Sequence, residues 1–282
     1  ITVEPAPSVN FDILDQSVCS GETSTQINLD SDTTPVNISW SIDASLYSDV
    51  TGITATTGTT TIPAFNLSNS GLDPVDLIFI AEAVTTSSAN CLGSPVSYTI
   101  TVNPAAEMNT VNDLILCNDE ITTEIAFSTP ITDGNTEYNW TIDTIIGLTP
   151  LSGTGTVPSF VAENNTTDPI VATLIVEPIF SNATDPTVQC GGTQQLFEIT
   201  VNPSPQITNV DNSQTICSND SSSLVSWTSS IVNGTPTTYN WTFVSATTGL
   251  LGFSSDPGVG DLPAFALTNS SNNIGELVYE VT

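Results

Sequence analysis

Apolar residues alternate with small or polar ones along much of this chain. Val96, Tyr98, Ile100 and Val102 are separated by Ser97, Thr99 and Thr101, and Phe197, Ile199 and Val201 by Glu198 and Thr200. A period of two puts one set of side chains in a core and the other in water, so these segments predict strands with one buried face. In Tyr138-Asn-Trp140 the two aromatics share a face. That suits a central strand whose Trp fills the space between two sheets. Turn signals recur at intervals of roughly ten residues, among them Asp133-Gly134 and Asn233-Gly234 ahead of Trp-bearing strands. The pattern predicts all-β sandwiches of about seven strands and about 100 residues each. The longest apolar runs, Val75–Val84 and Ile170–Val176, are short or broken by acids, too short to span a membrane.

The alternation itself recurs. Ile1-Thr-Val-Glu-Pro5 returns as Ile100-Thr-Val-Asn-Pro104 and Ile199-Thr-Val-Asn-Pro203, in steps of 99 residues. Trp40, Trp140 and Trp241 keep the same phase, and Ile62-Pro-Ala-Phe65 matches Val157-Pro-Ser-Phe160 and Leu262-Pro-Ala-Phe265. An acid follows each of these prolines at a predicted strand end: Glu82, Glu177 and Glu280. Independent anchors in one phase predict a tandem array. Residues 1–5 read as the end of a preceding repeat, 6–104 and 105–203 as two complete repeats, and 204–282 as a truncated third. The linkers, Glu4-Pro-Ala-Pro7, Asn103-Pro104 and Asn202-Pro-Ser-Pro205, are short and Pro-stiffened, which predicts a semi-rigid, extended array. The chain opens inside a strand pattern and stops inside a repeat, so it reads as a window on a longer polypeptide.

Composition sharpens this. The 282 residues include 30 Asp and Glu but no Lys, Arg or His, for a formal charge of −30. Lys plus Arg ordinarily make up about 12% of a chain. Repeats are not independent draws, yet the copies have diverged at most positions without gaining a cation, so the bias has a cause. Avoidance of trypsin-like cleavage and uniform polyanionic repulsion along a filament are the two we consider. The absence also excludes functions. Nucleic-acid phosphates cannot be neutralised, and there is no P-loop lysine. No His can serve as base or metal ligand, and no Lys can form a Schiff base or an isopeptide crosslink. Disorder is the reading that high charge invites. However, 38% apolar residues with four Trp, five Tyr and ten Phe supply several small cores. Thr and Ser, 45 and 33 residues, suit strands and turns.

Five cysteines follow the repeat phase. Cys19 and Cys91 are 72 apart and Cys117 and Cys190 are 73 apart, each pair inside one repeat. A zinc site would need clustered soft ligands, and there is no CxxC. The spacing predicts disulfides 19–91 and 117–190, each stapling loops at one pole of its sandwich, and an oxidising, exported location. Cys217 has its expected partner beyond the chain end, near position 290.

Together, Cys-x-Gly/Asn-Glu/Asp, Tyr-x-Trp-Thr, Ile/Val-Pro-Ala/Ser-Phe, a second Cys and Ile-Thr-Val-Asn-Pro resemble the PKD-like, immunoglobulin-like repeats of giant cell-surface proteins of the Bacteroidetes. True PKD domains follow their Trp with Phe-Gly-Asp-Gly. Here Trp140 is followed by Thr-Ile-Asp and Trp241 by Thr-Phe-Val, so the resemblance is to the divergent PKD-like branch. That branch includes flavobacterial gliding-motility adhesins exported by type IX secretion and displayed as filaments at the bacterial cell surface. The resemblance implies a non-catalytic stalk segment serving adhesion or gliding motility. Its partners would be neighbouring repeats, surface polysaccharide or the secretion and motility machinery, with no nucleic acid and no membrane insertion. A spacer or glycan-binding module of a secreted polysaccharide-degrading enzyme, and a self-assembling fibre subunit, are the alternatives.

Paired carboxylates can hydrolyse glycosides unaided, but Glu82, Glu177 and Glu280 recur in every repeat, which suits a structural role better than one active site. No cofactor is called for. Calcium is the ion the acids could hold, with Asp30, Asp32, Asp119 and Glu120 in the densest clusters and Asn219-Asp220 a third. Solvated loop acids are the plainer reading. Sequons at Asn37, Asn66, Asn139 and Asn240 arise readily in so polar a chain. The resemblance adds O-glycan candidates at Thr144, in Asp143-Thr144-Ile145, and at Thr33. Trp227, outside the repeat phase, is the best exposed-aromatic candidate for glycan binding, with core packing the commoner role for such a residue.

Overall fold

The computed structural model describes residues 1–209, 212–233 and 236–282. Strands dominate, and the one helical element among the described residues is the turn Ala44–Leu46. This fits a chain rich in β-branched residues and without Lys or Arg. Strand pairing stays within three successive segments.

In the first segment, β1 (Gln16–Cys19), β2 (Val36–Ser41), β3 (Val75–Thr85) and β4 (Val96–Asn103) form a sheet in the order β1-β4-β3-β2, with Thr57–Gly58 at its edge. β1 runs parallel to β4, with Cys19 beside Asn103. The remaining pairs are antiparallel. Leu77, Phe79, Ala81 and Ala83 of β3 and Tyr98, Ile100 and Val102 of β4 point inward. A second sheet of Asn10–Phe11, Ile27–Asp30 and Thr61–Ile62 covers them, with Ile27 and Ile62 fully buried.

The second segment repeats this plan. β5 (Leu114–Cys117), β6 (Asn135–Ile142), β7 (Ile170–Ser181), β8 (Gln189–Gly191) and β9 (Gln195–Asn202) form a sheet in the order β5-β9-β7-β6, with β8 paired to the end of β7. β5 is parallel to β9, with Cys117 beside Asn202. The opposite face is reduced to the bridges Ile121–Val161 and Ile125–Val157. Asp133-Gly134 lies immediately before β6, as its turn chemistry predicts; in the matching pair Asn233-Gly234, Gly234 lies outside the described residues. In the third segment β10 (Asn240–Ala246) pairs with β11 (Leu277–Val281) and Gly258–Val259.

The recurring motifs have recurring physical jobs. Trp40, Trp140 and Trp241 are buried, at 3%, 3% and 7% exposure. A glycine on the paired edge strand lies under each indole: a Cβ on Gly58, Gly153 or Gly258 would come within 2.5, 2.5 or 2.0 Å of the ring. The Pro-Ala/Ser-Phe motif is held by a hydroxyl. Ser24, Thr122 and Ser222 accept from the backbone N–H of Phe65, Phe160 and Phe265 at 3.0, 2.9 and 2.9 Å. Asn69 and Asn164 are buried amides that donate to the carbonyls of Val102 and Val201, tying a loop to the last strand.

Candidate functional site at the junction of the first two segments

The disulfide joins Cys19 to Cys190, with Cα atoms 5.4 Å apart and the two residues 171 positions apart in sequence. The expected pairs 19–91 and 117–190 do not form, and Cys91, Cys117 and Cys217 are free thiols. The reason is topological. Because β1 is parallel to β4, Cys19 sits at the far end of the last strand, beside Asn103 and the linker. Cys91 sits in the hairpin before that strand, its carbonyl accepting from the Thr85 N–H. In the second segment Cys117 lies beside Asn202, while Cys190 lies opposite Phe180, ten residues along β7 from Ile170. Ten strand residues span about 33 Å, far beyond the roughly 7 Å a disulfide tolerates. Cysteines of one segment therefore occupy opposite poles, and a short linker brings the lower pole of one segment against the upper pole of the next.

The junction is a small built core. Cys190 is 2% exposed and packs with Ala106, Ile131 and Phe180, with Cys19 and Val188 against them. Asn103 and Asn182 are buried beside it. Asn182 Nδ2 donates to Asn103 Oδ1 at 2.6 Å, and Asn103 Nδ2 donates to Ser17 Oγ and the Val18 carbonyl. A Cβ on Gly192 would fall 1.9 Å from the Ala106 carbonyl oxygen, so the linker backbone rests directly on this glycine. At the rim Thr132 Oγ1 donates to Asp73 at 3.1 Å. The Cys-x-Gly spacing of Cys91-Leu-Gly93 and Cys190-Gly-Gly192 was the available sequence signal for this contact.

The turn after each first strand explains several acids. Glu22 and Glu120 accept from the backbone N–H of Cys19 and Cys117 at 3.0 and 2.8 Å. Asp119, at φ 66°, holds the left-handed position that Gly21 holds in the first segment. Asp119 and Glu120 are thus parts of a tight turn. Asp32 accepts from Ser8 Oγ and Asn10 Nδ2, and Asp30 accepts from the Ser31 N–H. Among the described residues no three His, Cys, Asp or Glu gather as a metal site would require. Glu82 and Glu177 lie inside β3 and β7, paired with Ser39 and Asn139, and Glu280 pairs with Thr242. None is brought near another. Thr33 and Thr144 are half-buried, and Asn37, Asn66 and Asn240 are exposed. Asn66 donates to the Gly21 carbonyl and Thr23.

Trp227 is half-buried and stands two residues after Val225, whose bridge to Leu262 matches that of Ile125 to Val157. It therefore takes the place of Phe127, which packs on Tyr138 and Phe197. Two carboxylates are held below their usual pKa by backbone N–H donors: Asp12 by Asn28 and Asp143 by Thr173. Burial raises the phenols of Tyr98, Tyr138 and Tyr279.

Residues 16–106 match the PKD-like domain family. That span contains the whole sheet of the first segment and its Cys19-bearing strand. Among solved structures, an I-band fragment of titin is 14% identical, aligned over 99% of this chain and 93% of its own, with a TM-score of 0.42. A domain of intimin is 14% identical over 68% of this chain and 98% of its own, TM-score 0.33. Human mucin-like protocadherin is 8% identical over 70% and 98%, TM-score 0.33. No curated protein matches the chain. The disulfide fits an oxidising, exported setting, and among the described residues no helix is long and apolar enough to cross a membrane.

Proposed function

We propose that the chain is a non-catalytic stalk segment of a large secreted surface adhesin, built from repeat domains at 6–104, 105–203 and 204–282 and serving surface adhesion or gliding motility as an extended filament. The observation that carries this is a segment-to-segment contact made twice. Asp73 accepts from Thr132 across the first junction, and Asp168 accepts from Asn233 at 2.6 Å across the second. The two acids hold matching positions and their donors are neighbours in the same loop, Asn233 standing one place beyond the counterpart of Thr132, so each segment meets the next through the same loop. A chain that joins its units by one repeated operation grows as a filament. The PKD-like match and the absence of cations support the same reading, since a uniformly acidic surface resists bundling. Trp227, half-buried at the position that Phe127 holds in the second segment, favours a stalk over a glycan-binding module.

Small-angle scattering tests the shape. A globule of 282 residues has a radius of gyration of about 19 Å. Three segments of about 35 Å in line, from strands of about ten residues, give roughly 30 Å. A value near the globule's would overturn the filament reading.

A further inference from the structure

We infer that the disulfide between Cys19 and Cys190 is one rung of a continuous rule: the strand-end cysteine of each repeat is bonded to the hairpin cysteine of the following repeat. This rests on the tandem reading above and assigns Cys91, Cys117 and Cys217 as half-rungs. Cys91 takes the strand-end cysteine of a preceding repeat. Cys117 takes the hairpin cysteine of a following one, at a position that the repeat step puts near 290, past residue 282. Cys217 does the same one repeat later.

Three sets of contacts carry the rule. First, the cysteines are placed alike: Cys19 beside Asn103 and Cys117 beside Asn202, Cys91 opposite Thr85 and Cys190 opposite Phe180. Secondly, the upper pole of the first segment is already docked as the upper pole of the second is. Ser87 Oγ donates to Glu4, the counterpart of Asn182 donating to Asn103. A Cβ on Gly93 would fall 2.3 Å from the Pro7 carbonyl oxygen, the counterpart of Gly192 under Ala106. Residues 4–7 thus lie on Cys91's hairpin as residues 103–106 lie on that of Cys190. Thirdly, the matching acids Asp73 and Asp168 both accept at the rim from the same loop of the next segment, from Thr132 at the first junction and from Asn233, one place further along that loop, at the second. The hairpin docking that brings Cys19 to Cys190 is therefore shared by residues 4–7 on the first segment, and the second junction shares its acid rim contact.

Each rung forms by thiol–disulfide exchange. Two thiols give up two protons and two electrons to the disulfide of an exported oxidoreductase, which leaves as a dithiol. The consequence is mechanical. The loop 19–190 and the next loop, beginning at Cys117, overlap, so two covalent paths run side by side. Along one of them only the 27 residues from Cys190 to Cys217 separate successive rungs. Stretched, they reach about 95 Å, little more than two folded repeats of about 35 Å each. Unfolding cannot lengthen such a fibre much.

The test extends the full chain beyond Thr282 with a copy of residues 178–203, which restores the hairpin of the third repeat. Peptide mapping after alkylation should show Cys117 linked to the appended copy of Cys190, and Cys117 alkylation should fall at least tenfold. A link from that appended cysteine to Cys217 would overturn the rule, as would full alkylation of Cys117. A second variant needs no graft. In Cys19→Ser the rule leaves Cys190 and Cys117 both alkylated, whereas a 117–190 bond at the parent's yield would overturn it. Linkage is read independently of shape, so a compact scattering profile with correct rungs would count against the filament alone.

Discussion

Asn182 donates from Nδ2 to Asn103 Oδ1 at 2.6 Å inside the junction, with 5% and 0% of the two residues exposed. Asn103 also satisfies the Val18 carbonyl one residue from the disulfide. The amide pair thereby sets the register of one segment on the next. Asn103→Leu leaves Asn182 Nδ2 without its acceptor and takes a donor from the Val18 carbonyl, at a cost of about 1–3 kcal/mol, while Asn182 Oδ1 keeps Thr184. Urea unfolding of the oxidised chain should show this as a lower midpoint for the first two segments, with the disulfide still formed on peptide mapping.

Trp40 and Trp140 occupy matching positions but differ at Nε1. Trp40 donates to the Thr61 carbonyl at 2.7 Å, whereas the buried Nε1 of Trp140 has no partner. Trp40→Phe loses a hydrogen bond and leaves a carbonyl unpaired; Trp140→Phe removes a buried donor that had none. The first change should therefore cost about 1 kcal/mol more than the second. Thermal melts of the two variants check this, and equal losses would count against it.

Gly153 lies under the Trp140 indole. Gly153→Ala forces a methyl to within 2.5 Å of the ring, so the ring or the edge strand must move. Overpacking of this kind costs about 1–3 kcal/mol. Near-ultraviolet circular dichroism should change together with the melt.

The pH response follows from charges of one sign. Asp12 and Asp143 are held low by backbone donors, so their contribution is present above the ordinary carboxylate value of 3.8 and is lost as pH falls through their lower native values. Tyr98, Tyr138 and Tyr279 are raised, so their contribution is full below 10 and is lost as pH rises beyond it. Between these limits 30 acids repel with no cation to pair with. Calorimetry should show a higher melting temperature at pH 5 than at pH 8. At pH 7 it should also rise between about 10 mM and 0.5 M salt, as the screening length falls from about 30 Å to under 8 Å. An unchanged melt would remove repulsion from the account.

Force separates the pairing schemes directly. The disulfide hides the 171 chain steps from Cys19 to Cys190, leaving about 110 residues to extend. At about 3.5 Å per residue the oxidised chain stretches to about 390 Å and the reduced chain to about 990 Å. Pairing within repeats would give about 480 Å. Single-molecule pulling with and without reductant distinguishes the three.

Much of the fold was legible because it is local. The period-two runs at Val96–Val102 and Phe197–Val201 are strands with the expected buried faces, since alternation alone decides which side of a pleat meets water. The aromatic spacing of Tyr138 and Trp140 likewise placed both inward. The glycines under the indoles were visible as residues but not as partners, because an edge-strand register is not written in either strand alone.

The disulfide marks the boundary between the two kinds of information. Sequence by itself determined that the cysteines recur in phase, that the chain is strand-built, and that no cation can pair with its acids. It could not determine which cysteine faces which, because proximity along the chain is not proximity in space. That was decided by one tertiary feature, the parallel pairing of Gln16–Cys19 with Val96–Asn103. This pairing carries Cys19 to the pole opposite Cys91 and delivers it to Cys190 of the next segment.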